Sequence, residues 1–231
     1  MTELSEVQFR VRDLVERGRF EQARKMLPEA FSLGPDDFDN HCLAGRVALE
    51  LEDYEAAYSS VARALELHPS SIDAGLLMFS VHRHSGQFPD AERIILELLR
   101  DNPDDSQMFA CYAELMLRTL HLEKAGALAA EALRLDPTQS LARMVNLLVR
   151  IIEGDREGAV AELEELVRDD PNALQAAWGI VAVLQSEHRY GEALDVMRGI
   201  LHSAPDDGSI VEALVELRTA SHWSTIPLWP L

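Results

Sequence analysis

Residues 38–71 read FDNHCLAGRVALELEDYEAAYSSVARALELHPSS. Apolar side chains recur three and four positions apart on either side of Glu52-Asp53, the spacing of two amphipathic helices of about 12–14 residues each. Pro69 then stops the second helix, because its ring excludes the helical turn before it and it carries no N–H. Stepping outward by 34 residues finds the same punctuation elsewhere. Pro35, Pro69, Pro103, Pro137, Pro171 and Pro205 are in phase, and so are Ala23, Ala57, Ala91, Ala125, Ala159 and Ala193. A fixed period of this length is the signature of a repeat array, in which each unit buries its apolar face only against its neighbours. The small residue held in phase marks a place where two helices approach too closely for a larger side chain.

A 34-residue helix-turn-helix unit with this content resembles the tetratricopeptide repeat family. In the quoted unit the resemblance rests on Gly45, Asp53-Tyr54, Ala57, Ala64, Leu65 and Pro69. The following units carry it on Gly86, Phe88, Ala91, Leu99 and Pro103, and on Phe109, Ala113, Ala125, Ala132 and Pro137. Six units are assigned, at 4–37, 38–71, 72–105, 106–139, 140–173 and 174–207. Residues 208–221 read as a C-terminal capping helix and 222–231 as an apolar tail holding Trp223, Trp229, Pro227 and Pro230. The fold class implied is all-α, a right-handed superhelical solenoid of six such units plus the cap, forming one domain over 1–221.

Some positions depart from the family pattern. The tight turn between the helices has Gly18, Gly86 and Gly154, but Glu52, Leu120 and His188 in the other units. The second helix is expected to open on Phe20, Tyr54, Phe88, Leu122 and Tyr190, with Arg156 in the fifth unit. In that unit the core register falls on Arg143, Asn146 and Arg150. A one-residue shift would instead bury Met144, Leu147, Leu148 and Ile151, and is preferred. Paired acids after three of the prolines (Asp36-Asp37, Asp104-Asp105, Asp206-Asp207) suit the N-terminus of the next helix, which is positive and short of acceptors.

Composition narrows the function. The chain has 231 residues, 40 Asp plus Glu against 21 Lys plus Arg, and a net charge of −19. A surface of that sign suits neither nucleic-acid phosphates nor anionic lipid. No apolar run is long enough for a membrane-spanning segment, and the charged N-terminus has no leader pattern, so a cytoplasmic location is expected. Two cysteines make no disulfide framework. No phosphate loop, zinc-protease or nucleophile-elbow pattern occurs, and His82 and His84, two apart on a helix, point apart rather than converge on a metal. No enzyme activity, cofactor or metal is expected.

The family resemblance places the first helix of each unit along a concave face that binds a peptide or helix of a protein partner. Carried over by position, the lining is Gln8, Arg12 and Glu16, then Cys42, Leu43, Arg46 and Glu50, then Leu76, Ser80, Arg83 and His84. It continues with Ala110, Glu114, Leu117 and Arg118, with Val145, Val149 and Ile152 under the shift, and with Trp178, Ala182 and Gln185. Arg12, Arg46, Arg83, Arg118 and Trp178 are the candidate partner-binding residues. The arginines either anchor a carboxylate, which a guanidinium grips with two bonds, or pair locally as Arg12–Glu16, Arg46–Glu50 and Glu114–Arg118. Arg83 has no acid four residues away. Trp178 is either a groove anchor or packing between helices. The family's chaperone-tail clamp needs Lys and Asn where this chain has Gln8, Arg12, Cys42 and Leu43, so that activity is not implied. Two readings follow: a non-catalytic interaction scaffold, or the repeat portion of a longer protein whose remainder is a membrane segment or an enzyme. The tail offers a route to self-association.

Overall fold

The computed structural model describes residues 2–155, 158–159, 162, 165–166, 178, 180–181, 184–185 and 188–203. The chain divides into two compact units, residues 1–102 and 103–231. The first holds α1 (Glu3–Glu16), α2 (Phe20–Leu33), α3 (Phe38–Glu50), α4 (Tyr54–Leu67), α5 (Ile72–His84) and α6 (Phe88–Asp101). The second holds α7 (Ser106–Arg118), α8 (Leu122–Leu135), α9 (Ser140–Glu153) and α10 (Tyr190–Ser203). The fold is all-α, with helices stacked in helix-turn-helix pairs. In the first unit α1 packs on α2 and α3, and α3 on α4 and α5; in the second α7 packs on α8 and α9. The expected cap at 208–221 and tail at 222–231 lie outside the described residues.

The helix starts agree with the repeat. Five second helices open on Phe20, Tyr54, Phe88, Leu122 and Tyr190. The in-phase alanines Ala23, Ala57, Ala91, Ala125, Ala159 and Ala193 are all 0 % exposed, so a methyl is the largest group that fits there. In the two described acidic pairs that precede a first helix, only the second acid caps it. Asp37 accepts from the Asn40 N–H and Asp105 from the Met108 N–H. Asp36 turns away to Arg63 of α4 at 2.8 Å, and that guanidinium holds its carboxyl below the usual carboxylate range.

All six turns share one backbone form. Gly18, Gly86 and Gly154 have φ of 68°, 76° and 103°, and Glu52, Leu120 and His188 adopt 59°, 56° and 60°. The next residue's N–H then reaches back to a carbonyl five positions earlier, as from Asp53 to Ala48 at 2.9 Å and from His121 to Met116 at 2.8 Å. That bond closes the helix end in the Schellman manner and forces the left-handed residue. A side chain there costs about 1–2 kcal/mol. Glu52 is exposed, so Glu52→Gly sacrifices no packing. After the extra chain entropy of glycine in the unfolded state, it is expected to stabilise the first unit by about 0.5 kcal/mol in urea unfolding followed by circular dichroism.

The fifth unit follows the shifted register and goes beyond it. Met144, Leu147, Leu148 and Ile151 are buried, but so are Val145, Val149 and Ile152. The last three were expected to line a groove; the apolar face of α9 is instead wide enough that they are buried with the rest. Arg143 is exposed, and Arg150 leaves the core by pairing with Asp155 at 2.9 Å and Glu162 at 3.4 Å.

Candidate functional site

In the first unit α1, α3 and α5 lie side by side. Arg12 on α1 and Arg46 on α3 are one repeat apart, so they occupy the same register on neighbouring helices, and both are exposed. The spacing to Glu16 and Glu50 allows local pairing, but no ion pair joins Arg12 to Glu16 or Arg46 to Glu50 among the described residues; this corrects that expectation for those two. An exposed pair of this kind gains only a few tenths of a kcal/mol and loses side-chain entropy, so the geometry is permitted rather than required. Arg83 on α5 is half-buried, with its guanidinium 6.0 Å from the centre of the Phe79 ring and 3.3 Å from His84 Nε2.

Cys42 sits near Arg46 and a row of acids. Burial pushes its thiol up to about 11, and Asp39, Asp73 and Asp37 add to the rise while Arg46 opposes it. The thiol therefore stays protonated at neutral pH and is a poor nucleophile. No disulfide joins Cys42 to Cys111, and no cluster of three His, Cys, Asp or Glu fit to hold a metal occurs among the described residues.

Several carried-over lining positions face inward instead. Leu43 packs into the cluster of Val7, Val11, Ala23, Leu27 and Val47. Ala110 and Leu117 are 0 % exposed. Gln8 is also buried and belongs to a polar network that was not among the sequence expectations. Its amide donates to Asp37 at 2.6 Å and to Asn40 Oδ1 at 3.0 Å. Asn40, itself wholly buried, donates to the carbonyls of Ala30 at 2.9 Å and Gly34 at 2.8 Å. The network fastens α3 to the end of α2 and to α1.

The second unit carries the other two candidates. Arg118 meets Glu114 at 3.2 Å, with the acid nearly buried, so this local pair does form. Trp178 is half-buried in a helical segment. The Ala182 position lies outside the described residues.

Comparison with known proteins turns this geometry into a family assignment. Tetratricopeptide repeat family models match residues 48–115, and residues 10–72 together with 153–208. The chain belongs to the tetratricopeptide repeat family. Among curated proteins, it is 27% identical over 145 residues to anaphase-promoting complex subunit 3 of Schizosaccharomyces pombe. That match takes in 63% of this chain but only 22% of the relative, so the chain spans about a fifth of that protein. Among solved structures, the Cut9 and Hcn1 hetero-tetramer of the APC/C matches with a TM-score of 0.69 at 12% identity, over 95% of this chain and 43% of that one. Pseudomonas aeruginosa pilF matches at 0.61 and 16% identity, over 92% and 97%. At such identities these structures speak for the tetratricopeptide fold alone. Proteins of this family typically mediate protein–protein interactions and are typically non-catalytic. No described helix is long and apolar enough to cross a membrane.

Proposed function

We propose that this chain is a non-catalytic interaction module, and that the face formed by α1, α3 and α5 grips a carboxylate-bearing peptide or helix of a partner protein. The observation that carries the reading is the pair Arg12 and Arg46: exposed, in register on adjacent helices, and outside any described ion pair in a protein of net charge −19. Two exposed guanidiniums in register, with no ion pair of their own among the described residues, leave both forks open to grip a carboxylate with paired hydrogen bonds. Arg83, seated on Phe79, extends the row. Arg118, engaged with Glu114, and Trp178 rank behind these three. The short span of the matched curated relative favours a second reading, in which this repeat array works as one portion of a longer assembly subunit.

The test is a library of short peptides with free C-terminal carboxylates beside the same peptides amidated, titrated against the full chain. Arg12→Glu with Arg46→Glu is expected to weaken the best free-acid peptide at least tenfold at low salt, with the difference shrinking as salt rises. Both side chains are exposed, so folding is unaffected. Equal binding by wild type and double variant at low salt would refute the reading.

A further inference from the structure

The first unit has a second concave surface, on the side of α5 away from Ser80 and His84. Ile72, Gly75, Met78 and His82 form its floor, α4 one wall and α6 the other, enclosing about 600 Å³. It continues past Tyr58, His82 and Arg93 into a further hollow of about 550 Å³. The sequence explains why it is open. Between the first and second repeats the corresponding positions are Phe31 and His41, whose rings meet edge to face with centres 5.0 Å apart. One repeat later they are Leu65 and Gly75, with Leu98, where the preceding repeat has Ala64, leaning over the glycine, so two rings give way to slimmer aliphatic side chains.

The trough has two chemically different ends. One sets an apolar strip of Leu65, Met78, Ile94 and Leu98 beside a polar rim of Ser70, Ser71, Glu97, Arg100, Asp101 and Asn102. The other presents Tyr54 and Tyr58 with Glu55 and Asp90. Tyr58 is 49% exposed, and its ring is held edge to face against His82, 5.7 Å between centres. His82 in turn is fixed by Gln87 at 2.6 Å. The lining carries four carboxylates, Glu55, Asp90, Glu97 and Asp101, against two guanidiniums. Both cations already answer to acids of the same wall: Arg93 to Asp90 and Glu97 at 3.5 Å, Arg100 to Asp101 at 3.2 Å. The remaining field is negative, and it lies beside a steadied, exposed tyrosine face, the surroundings a cation prefers.

We infer that the trough between α4 and α6 docks a basic amphipathic segment of a partner protein, with a lysine or arginine against Tyr58 and Glu55 and an aliphatic side chain over Ile94 and Leu98. This surface is separate from the arginine row of α1 and α3, and takes a partner of opposite charge.

The probes are an amphipathic peptide of leucine and lysine and its leucine–glutamate counterpart, each titrated into the full chain with methyl-labelled methionine and isoleucine. The leucine–lysine peptide is expected to shift the Met78 and Ile94 methyl signals and the leucine–glutamate peptide to leave them in place. Glu55→Lys, and separately Tyr58→Ala, should each weaken the leucine–lysine peptide at least fivefold. Glu123→Lys, an equal change of charge at an exposed position of α8, should weaken it less than twofold. Three results would overturn the inference: equal loss in Glu55→Lys and Glu123→Lys, methyl shifts away from α5 and α6, or a trough filled by a second copy, seen as self-association that Tyr58→Ala abolishes. Since Glu55 is exposed and contributes nothing to the core, its variant keeps the test valid even if Tyr58→Ala fails to fold.

Discussion

Replacing Asn40 with alanine is expected to cost the first unit about 2–4 kcal/mol, far more than an ordinary polar-to-alanine change. The side chain is wholly buried and makes three hydrogen bonds, two to carbonyls that end α2 and one from Gln8. Each bond is worth about 1 kcal/mol net, but a buried partner left unsatisfied costs about 1–3 kcal/mol, and the Gln8 N–H that points at Asn40 is left so. Gln8 would still reach Asp37, yet Asp37 also caps α3 through the Asn40 N–H, so the loss spreads to the start of that helix. Asn40→Asp should be no better, since it sets a carboxylate against two carbonyl oxygens. The readout must be local. All three tryptophans lie beyond residue 177, so none is on α1, α2 or α3 to report on them directly. Hydrogen exchange of the α1, α2 and α3 amides is the proper measure, and protection equal to wild type would dispose of the claim.

The second large effect is a contrast between two glycines. Gly45 and Gly75 both sit inside helices, where alanine is favoured over glycine by about 1 kcal/mol. Space decides the sign. A methyl on Gly45 would lie 2.5 Å from Val61 Cγ2, with Leu77 Cδ2 at 3.4 Å and the Ala57 carbonyl at 3.6 Å behind it. Val61 is fully buried and β-branched, so it cannot swing aside without moving α4. Overpacking of this sort costs about 1–3 kcal/mol and should exceed the propensity gain. A methyl on Gly75 meets only the end of the Leu98 side chain, at 2.8 Å, and Leu98 borders the open trough and can rotate into it. Thus Gly45→Ala should lower the melting temperature and Gly75→Ala should leave it level or raise it. Equal effects of one sign would mean that glycine content, not contact, governs these positions.

How far the sequence could be read depends on what each position answers to. Helix starts, the alanine row and the left-handed turns were legible because they obey local sterics that recur every 34 residues. Glu52 and Leu120 could be named as departures and still hold the glycine conformation, since the hydrogen bond from the following residue imposes it. The groove was harder. Leu43 and Arg46 lie on one helix, three residues apart, and the period alone does not say which faces the neighbouring repeat and which faces water. Leu43 turned inward and Arg46 outward because apolar burial outweighs a shared face. Two of the three expected ion pairs failed for a different reason: four-residue spacing makes Arg46–Glu50 possible, and solvent makes it nearly worthless, whereas Glu114 is nearly buried and keeps Arg118. The Asn40 network did leave a trace. Ala74, Met108 and Ala142 hold the same register, so one amide among small and apolar residues marks a buried polar contact.

The outer side of α1 differs in kind from the same side of the helix one repeat later. At the register where Asn40, Ala44, Val47 and Leu51 turn toward the first repeat, α1 presents Glu6, Arg10, Asp13 and Arg17, tied into two bridges four residues apart. The second repeat offers the first an apolar seat on Ala44, Val47 and Leu51; α1 offers hydrated ions at that register. A modular array with two sticky ends would grow head to tail without closing, as any heterologous contact with no rotational limit must. Two salt bridges on α1 would have to be stripped of water before a further apolar helix could stack on this face, which disfavours such a contact here.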